Sequence, residues 1–242
     1  MNQKRMIDIH MHLIPGVDDG AEDMVMARMM LLRAREQGIS VIFCTPHSEA
    51  FRYSKDGARI IFDRLKKNVG SAYPDVKLYL GCEVYCEAMI MDQVLENLNS
   101  GRYPTMNDSK YVLMEFYGGV EQDNARSCVE AMVNGGYQPI IAHMERYRYL
   151  RDNMELVDRF RELGALIQIN VYSLFDEDDF SIKNWARRLV QERKVEFLGT
   201  DAHRTYHRPP SAEWGLNYLY ENVEQEYVEA IAWGNAQKFL CD

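Results

Sequence analysis

Short apolar runs alternate with amphipathic helical patterns along the whole chain, and this alternation limits the possible folds more than any other feature. Seven runs are predicted to be β-strands, at residues 5–10, 40–44, 76–82, 111–116, 138–142, 165–169 and 195–199. Helical patterns fill the intervals, at about 22–37, 58–72, 87–97, 121–134, 154–163, 181–193 and most of 211–240. Strands that alternate with helices form parallel sheets with right-handed crossovers. We therefore expect a closed or nearly closed α/β barrel, with an open doubly wound sheet as the alternative.

The first helical pattern shows how the helix boundaries are predicted. It carries Val25, Met29 and Leu32 on one apolar stripe, which is the spacing of a helix face. Gly38 follows the pattern directly and is predicted to end the helix, because glycine readily adopts the left-handed conformation found after helices.

Each predicted strand is followed by a polar side chain, in most cases of a type that binds metal ions. In chain order these are His10 with His12, His47, Glu83, Glu115, His143, Asn170, and Asp201 with His203. The carboxyl ends of the strands of a parallel barrel converge on one rim. An open sheet would spread the same groups along a line of roughly 30 Å, at about 4.8 Å per strand. A barrel gathers them around a single cavity and is the favoured prediction.

Five of the chain's six histidines belong to this set, and the opening strand is the sharpest case. A strand alternates its faces, so His10 and His12 are predicted to lie on the same side, where two imidazoles can share a metal ion. A single histidine at a strand end usually only hydrogen-bonds within a loop. Five of them, with acids at matching positions, favour a metal centre.

The chain of 242 residues has 47% hydrophobic content, which is enough for one sizeable core. Because it shows neither a linker nor a low-complexity tract, we predict a single domain spanning residues 1–242. We find no secretory signal pattern and no apolar run approaching roughly 20 residues, so no membrane insertion is expected. The five cysteines are odd in number and mostly lie inside strand or helix patterns. This usage predicts free thiols and a cytoplasmic protein.

A net charge of -9 opposes broad binding to nucleic acid or to anionic membranes, since both require a cationic face. An anionic substrate would have to be captured by local positive charge. No cysteine is followed by an arginine in the Cys-x5-Arg pattern of thiol-based phosphatases, and no Walker-type glycine loop is present. The sequence therefore does not support those two classes of phosphate chemistry.

Six short motifs carry a resemblance to a known family. They are DIHMHLIPGVDDGA (residues 8–21), TPH (45–47), GCE (81–83), EF (115–116), IAHMERY (141–147) and TDAH (200–203). In this order they resemble the PHP (polymerase and histidinol phosphatase) superfamily, and most closely the bacterial manganese-dependent protein-tyrosine phosphatases of the CpsB/CapC type. The first motif is highly specific, above all its DDGA ending. The resemblance runs from end to end and implies a distorted (β/α)7 barrel.

The resemblance also implies three metal sites built from nine ligands. The first site would consist of His10, His12, Glu83 and Asp201. Glu83 would bridge to the second site, which would also contain Glu115 and His143. The third site would consist of Asp19, His47 and His203. Manganese is the metal that the resemblance implies, although histidine and carboxylate ligands without thiolate also suit iron or zinc.

Residues other than the nine ligands also receive roles from the resemblance or from their positions. Arg146 and Arg208 resemble the family's two phosphate-binding arginines. Asp19 is preferred to its neighbour Asp18 because it matches the family's ligand position. Asp8 and Asn170 are expected to support the site without touching a metal.

Charge counting at the implied site agrees with a phosphate substrate. Four carboxylates against three divalent cations leave about two positive charges, because the histidines bind as neutral imidazoles. The two arginines add to this excess, which suits a phosphate monoester dianion. The implied reaction is in-line attack on phosphorus by a metal-bridging hydroxide, with the arginines orienting the phosphate.

Three functions from different classes remain open. The leading one is a protein-tyrosine phosphatase that acts on an autophosphorylating bacterial tyrosine kinase controlling capsule or exopolysaccharide synthesis, a partner that the resemblance implies. The second is a small-molecule phosphomonoesterase of the histidinol-phosphatase kind, which a deep, lidded pocket would favour, whereas a shallow open rim would favour a protein substrate. The third is a non-catalytic metal-binding module, whose signature would be lost ligands. All nine implied ligand positions are filled.

Tyrosines could also shape the mouth of the predicted cavity and stack on an aromatic substrate. The candidates are Tyr53, Tyr117, Tyr147 and Tyr206. Tyrosines near strand ends more often pack within the rim, so their contact with substrate stays one of two interpretations.

Overall fold

The structure, a computed structural model, describes residues 4–240. Its strands are β1 (Met6–Met11), β2 (Ile39–Cys44), β3 (Lys77–Leu80), β4 (Glu83–Tyr85), β5 (Tyr111–Glu115), β6 (Gln138–Ile141), β7 (Leu166–Asn170) and β8 (Phe197–Gly199). Its α-helices are α1 (Met24–Glu36), α2 (Gly57–Ala72), α3 (Met91–Asn99), α4 (Gln122–Asn134), α5 (Met154–Glu162), α6 (Phe180–Gln191), α7 (Glu213–Asn222) and α8 (Gln225–Glu229). The strands pair in parallel, in the orders β1-β2-β3 and β4-β5-β6-β7-β8. The predicted alternation of strands and helices is confirmed.

The predicted third strand, residues 76–82, is shorter in the structure, where it forms β3 and ends at Leu80. A further strand, β4, begins just beyond the predicted range; β3 pairs with β2, whereas β4 pairs with β5. The N–H of Gly81 donates to the carbonyl of Cys44 at 2.9 Å, and the N–H of Glu83 donates to that of Pro46 at 3.0 Å. β3 and β4 therefore both lie beside β2 and the residues that follow it. Together they occupy one of seven strand positions in the barrel. The predicted end of the strand was wrong, because β3 ends at Leu80 and Glu83 begins a further strand, β4.

The barrel closes where β1 meets the end of β8. The N–H of His12 donates to the carbonyl of Ala202 at 2.9 Å, and the N–H of Asp201 donates to that of His10 at 2.7 Å. These bonds join the first strand to the last in parallel register. The prediction of a barrel, in preference to an open sheet, is confirmed.

A small apolar cluster fills the barrel interior. It contains Ile7, Ile9, Val41, Phe43, Met106, Leu113, Ile140, Ala142, Phe197, Ala236 and Phe239. Seven of these eleven residues lie on strands, and none lies on α1–α8, so the cluster is separate from the larger core between sheet and helices. The Phe239 ring lies 4.8 Å from that of Tyr111 and 5.1 Å from that of Phe197, which begin β5 and β8. The C-terminal segment thus plugs the amino end of the barrel, and the opposite rim stays available for chemistry.

The apolar stripe predicted for α1 faces solvent. Val25, Met29 and Leu32 are 65%, 50% and 39% exposed. The buried face of the helix consists of Ala27, Met30, Leu31 and Ala34. The predicted helix is confirmed, and this stripe forms its exposed face; apolar residues occupy both faces of α1, so their periodicity alone does not choose a buried side.

The predicted end of α1 at Gly38 is confirmed. Gly38 has a φ of +82°, and its N–H donates to the carbonyl of Arg35 at 3.0 Å. A Cβ atom at this position would lie 2.4 Å from the carbonyl oxygen of Lys4. Glycine is therefore required both by the left-handed backbone and by the close approach of the N-terminal segment.

Cysteine chemistry agrees with the prediction of free thiols. The cysteines within residues 4–240 are all buried and unpaired, at Cys44, Cys82, Cys86 and Cys128. Burial raises the pKa of the Cys44 thiol, which makes it a packing group and not a nucleophile. Over the same residues, none of the helices is both long and apolar enough to cross a membrane.

The packing of α7 against the turn after β7 leads to a stability prediction. A Cβ on Gly215 would lie 2.1 Å from the carbonyl oxygen of Val171, so Gly215→Ala should lower the free energy of unfolding by about 3 kcal/mol. Gly70 is the matched control, since no atom beyond the adjacent backbone of α2 itself lies within 4 Å of its Cβ position. Gly70→Ala should raise stability by up to about 1 kcal/mol. Urea denaturation of both variants measures the difference, and equal effects would contradict the described packing.

Candidate functional site

Two histidines and two carboxylates meet at the carboxyl ends of β1 and β8 and at the first residue of β4. The Nε2 atoms of His10 and His12 lie 3.2 Å apart. Oε1 of Glu83 lies 3.2 Å from Nε2 of His10, and Oε2 lies 3.2 Å from Nε2 of His12. Oδ1 of Asp201 lies 3.5 and 3.6 Å from the same two nitrogens. All four side chains are buried, and they are the four residues implied for the first metal site.

Glu83 lies at the centre of the wider cluster. Besides His10 and His12, its carboxylate lies 2.8 Å from Nε2 of His143 and 3.1 Å from Nδ1 of His47. This position agrees with the bridging role that the resemblance implies. The other carboxylate implied for the second site, Glu115, approaches His47 instead of His143, with Oε1 2.9 Å from Nδ1 of His47.

The third implied set also comes together. Oδ1 of Asp19 lies 3.4 Å from Nε2 of His203 and 3.5 Å from Nε2 of His47. Their ligand atoms, together with one nitrogen of His12, all lie within 4.8 Å of one another. His47 therefore contacts residues of two implied sites, with one ring nitrogen toward Asp19 and the other toward Glu115.

Both predicted arginines reach the cluster through Asp201. Nη1 of Arg146 donates to Oδ2 of Asp201 at 2.9 Å, and Nη2 of Arg208 donates to the same oxygen. The amide of Asn170 donates to this oxygen as well, at 3.0 Å. Asp201 thus presents Oδ2 to the arginines and Oδ1 to the histidines. The contact of Asn170 with a carboxylate agrees with its predicted supporting place.

Asp18 and Asp19 occupy different surroundings. Nδ1 of His12 donates to Oδ2 of Asp18 at 2.8 Å, and the backbone N–H groups of Gly20 and His47 donate to the same carboxylate at 3.0 and 3.1 Å. This bond leaves Nε2 of His12 facing the cluster. Asp18 therefore orients a candidate ligand, as carboxylates behind metal-binding histidines do, whereas Asp19 faces the cluster itself.

Asp8 ties the first strand to the last. The N–H and hydroxyl of Thr200 donate to its two carboxylate oxygens at 2.9 and 2.5 Å, and the N–H of His10 donates to one of them at 3.1 Å. Burial raises the pKa of Asp8 to about 6 in spite of these bonds. Both carboxylate oxygens of Asp8 accept hydrogen bonds from residues of the barrel wall, in agreement with the predicted supporting role.

Gln168 on β7 supports the site and was missed in the sequence analysis. Its Oε1 accepts from Nδ1 of His10 at 3.3 Å and from the N–H of His143 at 2.9 Å. The bond to His10 fixes the ring so that Nε2 points into the cluster. A buried glutamine within a strand carries no motif of its own. The signal was its place two residues before Asn170, on the same face of β7.

Replacing Gln168 with leucine should loosen the metal site. The variant keeps the side-chain volume but removes the acceptor that orients His10, and losses of such supporting bonds typically lower metal affinity about 10- to 100-fold. Titration calorimetry with Mn²⁺ measures this affinity. Gln191→Leu, at an exposed position on α6, is the control and should bind like the wild type. Unchanged affinity in Gln168→Leu would show that the bond does not orient the ring.

The donor set fits divalent cations. Within residues 4–240, Oε2 of Glu83 and Oδ1 of Asp201 are buried and accept no hydrogen bond. Leaving a buried charged acceptor unpaired is costly. Both oxygens face imidazole nitrogens at distances of 3.1 to 3.6 Å, so a cation between them would satisfy oxygens and nitrogens together. The donors are imidazole and carboxylate without thiolate, which suits manganese, iron or zinc.

The electrostatics of the cluster point the same way. Burial opposes ionisation of Glu83, yet the surrounding histidines hold its pKa well below the usual range. Burial lowers the pKa of His12, but the charges of Asp18 and Glu83 outweigh this and raise it to about 10. In the same way, Glu115 and Glu83 raise the pKa of His47 to about 12. The carboxylates therefore favour positive charge at these nitrogens, which a proton or a metal ion can provide.

Three site residues have a left-handed backbone. The φ angles are +32° at His143, +53° at Asp201 and +51° at Arg208. Such angles are uncommon outside glycine and cost free energy that the surrounding structure must supply. His143 and Asp201 each lie two residues after a strand, β6 and β8, and Arg208 lies in the loop between β8 and α7.

A cavity of about 270 Å³ opens beside the cluster. It is lined by His47, Glu83, Glu115, Phe116, Gly118, His143, Arg146, Tyr147, Asp201 and Arg208. Tyr147 is buried, and its hydroxyl oxygen accepts from the N–H of Phe116 at 3.0 Å. The other candidate mouth tyrosines, Tyr53, Tyr117 and Tyr206, are highly exposed and are not among the lining residues.

Comparison with known proteins assigns the chain to a family. The family model described as "Capsular polysaccharide synthesis, CpsB/CapC" matches residues 6–241. The tyrosine-protein phosphatase YwqE of Bacillus subtilis is 33% identical over 225 residues, which cover 91% of this chain and 86% of the relative. The tyrosine-protein phosphatase CpsB of Streptococcus pneumoniae is 26% identical over 244 residues, which cover 98% and 99% of the two chains.

A solved structure extends this likeness to the fold. It comes from crystal structures of YwqE from Bacillus subtilis and CpsB from Streptococcus pneumoniae, described as unique metal-dependent tyrosine phosphatases. The TM-score is 0.87 at 30% identity, and the match covers 97% of this chain and 94% of the other. With the family model matching almost its entire length, the chain belongs to the CpsB/CapC family of capsular polysaccharide synthesis.

Proposed function

We propose that this chain is a metal-dependent protein-tyrosine phosphatase. The observation that carries the proposal is the double use of Asp201, whose Oδ1 faces two histidines while its Oδ2 accepts from two arginines. A cation-binding cluster and a pair of phosphate-binding groups therefore share one carboxylate. Tyrosine-protein phosphatase is also the activity named for relatives that cover nearly the whole chain.

The proposed cofactors are three divalent metal ions, most simply manganese, with iron or zinc as alternatives. The proposed ligands are His10, His12, Asp19, His47, Glu83, Glu115, His143, Asp201 and His203. When bound, such ions act as Lewis acids and lower the pKa of water to roughly 7, which supplies a nucleophile at neutral pH. The unpaired buried oxygens of Glu83 and Asp201 support this assignment.

Arg146 and Arg208 are proposed to bind the phosphate. Both guanidinium groups line the cavity and lie within hydrogen-bonding distance of Asp201. Exchanging this carboxylate for the non-bridging oxygens of a phosphate monoester keeps their charge paired. The arginines would then orient the phosphorus and offset the charge that develops during displacement. A phenolate leaving group has a pKa of about 10 and needs little protonation.

The shape of the rim favours a protein substrate over a small molecule. The side chain of Asp19 is 66% exposed and that of Arg146 is 36% exposed, so the cluster is reached directly from the surface. A cavity of about 270 Å³ holds little more than the phosphorylated side chain itself. The rest of a protein substrate would lie outside on the rim.

The proposed substrate is a phosphotyrosine-bearing protein, and we infer that it is an autophosphorylating bacterial tyrosine kinase controlling capsule or exopolysaccharide synthesis. Support comes from the family's connection with capsular polysaccharide synthesis. We further propose that residues 1–242 act as one metallophosphatase domain in the cytoplasm. The buried free thiols agree with a reducing compartment.

A phosphate-release assay tests the proposed function. Purified protein is treated with a chelator and then assayed with and without Mn²⁺, on a phosphotyrosine peptide and on histidinol phosphate in parallel. We expect release from the peptide only, and only with the metal. Preference for histidinol phosphate would replace the proposal with the small-molecule alternative. No turnover of either substrate by metal-loaded protein would favour the non-catalytic module.

A further inference from the structure

An exposed aromatic pair lies beside the candidate active site. Phe175 is 38% exposed and Trp214 is 58% exposed. Their rings stack with centroids 5.0 Å apart and planes at 17°. They line a groove of about 410 Å³ together with Tyr172, Asp176 and Arg208. Single exposed apolar residues are common on protein surfaces, but two stacked rings in one groove form a larger apolar surface.

The groove adjoins the proposed phosphate pocket at Arg208. Arg208 lines both cavities, and within the smaller one it donates to Asp201. A peptide whose phosphate is held by Arg208 therefore has this groove as an adjoining surface.

The two elements that carry the aromatic pair pack directly against each other. Phe175 follows the turn Val171–Leu174 that leaves β7, and Trp214 lies in the first turn of α7. These two elements are in direct contact, because a Cβ on Gly215 would lie only 2.1 Å from the carbonyl oxygen of Val171. A pre-formed site loses little entropy on binding, so the aromatic pair is ready to accept a side chain.

We propose that this groove binds an aromatic or large aliphatic side chain lying within three residues of the phosphotyrosine in the protein substrate. The inference rests on the proposed function and adds a specificity-determining subsite to it. The stacked rings offer the apolar contact surface that such a side chain buries. Asp176 and Glu177 also line the groove, so the neighbouring substrate residues are expected to be neutral or basic and not acidic.

Paired peptides test the subsite. Each carries one phosphotyrosine among glycines and serines, and a single phenylalanine or glycine is placed at each position from three before to three after it. For wild-type protein with Mn²⁺, kcat/KM should be about tenfold higher with phenylalanine than with glycine at one or more positions. In a Phe175→Ala/Trp214→Ala variant this preference should fall below about twofold, because the groove loses both rings.

Phe180→Ala is the matched control, because Phe180 is an exposed phenylalanine at the start of α6 that does not line the groove. It should keep the tenfold preference. Equal hydrolysis of all peptides by the wild type, or a preference that survives in the double variant, would overturn the subsite and leave the proposed function intact. Failure of metal-loaded wild type to hydrolyse any phosphotyrosine peptide would instead overturn the proposed function, and the subsite with it.

Discussion

The Glu83→Gln variant is expected to lose metal ions and to show a kcat/KM at least about 100-fold below that of the wild type. Glu83 is buried and lies within 3.2 Å of nitrogens of His10, His12, His47 and His143. Glutamine keeps the shape of the side chain but removes the negative charge and replaces one carboxylate oxygen with an amide nitrogen, which donates hydrogen bonds. The change therefore acts on the whole cluster. Elemental analysis of bound metal and phosphate release from a phosphotyrosine peptide measure it.

Glu121→Gln provides the control for this charge change. Glu121 is exposed, precedes α4 and makes no side-chain capping bond there. Its substitution should leave metal content and kinetics unchanged. A Glu83→Gln protein with full metal content and wild-type activity would remove Glu83 from the metal centre.

The Arg146→Ala variant is expected to keep its metal ions but to lose phosphate capture, with kcat/KM about 100-fold lower. Arg146 contacts Asp201 from the side opposite to the histidines, so its removal leaves the nitrogen and oxygen donors of the cluster in place. Arg146→Lys should recover only part of the activity, because lysine cannot form two parallel hydrogen bonds with a phosphate. Steady-state kinetics with matched metal analysis separate the two effects.

Arg148→Ala is the matched control, as an exposed arginine two residues further along the same loop. Its kinetics should equal those of the wild type. Unchanged kinetics in metal-replete Arg146→Ala would contradict the phosphate-binding role, and loss of metal ions would place Arg146 in the support of Asp201 instead.

The convergence of the site residues was predictable because it follows from topology. Parallel strands place their carboxyl ends on one rim, so polar residues after successive strands must meet there whatever the exact strand lengths. This rule brought together residues as distant in sequence as His10 and Asp201. The rule also holds for Glu83, although the predicted strand boundary there was wrong, because β3 and β4 follow the same path beside β2.

Details that depend on side-chain packing were not predictable in the same way. The buried face of α1 could not be chosen from periodicity, because Ala27 and Ala34 are buried while longer apolar residues face solvent. Gln168 escaped notice because a glutamine within a strand is recognisable as a supporting group only when its partners are known. The exposed pair of Phe175 and Trp214 comes from segments 39 positions apart, which no periodic pattern connects.

The most direct test of the metal centre is anomalous diffraction at the manganese edge, from crystals grown with Mn²⁺ and phosphate. We expect anomalous peaks among the nine proposed ligands, with Glu83 between two of them, and a phosphate held by Arg146 and Arg208. Peaks elsewhere on the protein, or none within this cluster, would contradict the claim that the strand ends form one metal-dependent phosphatase site.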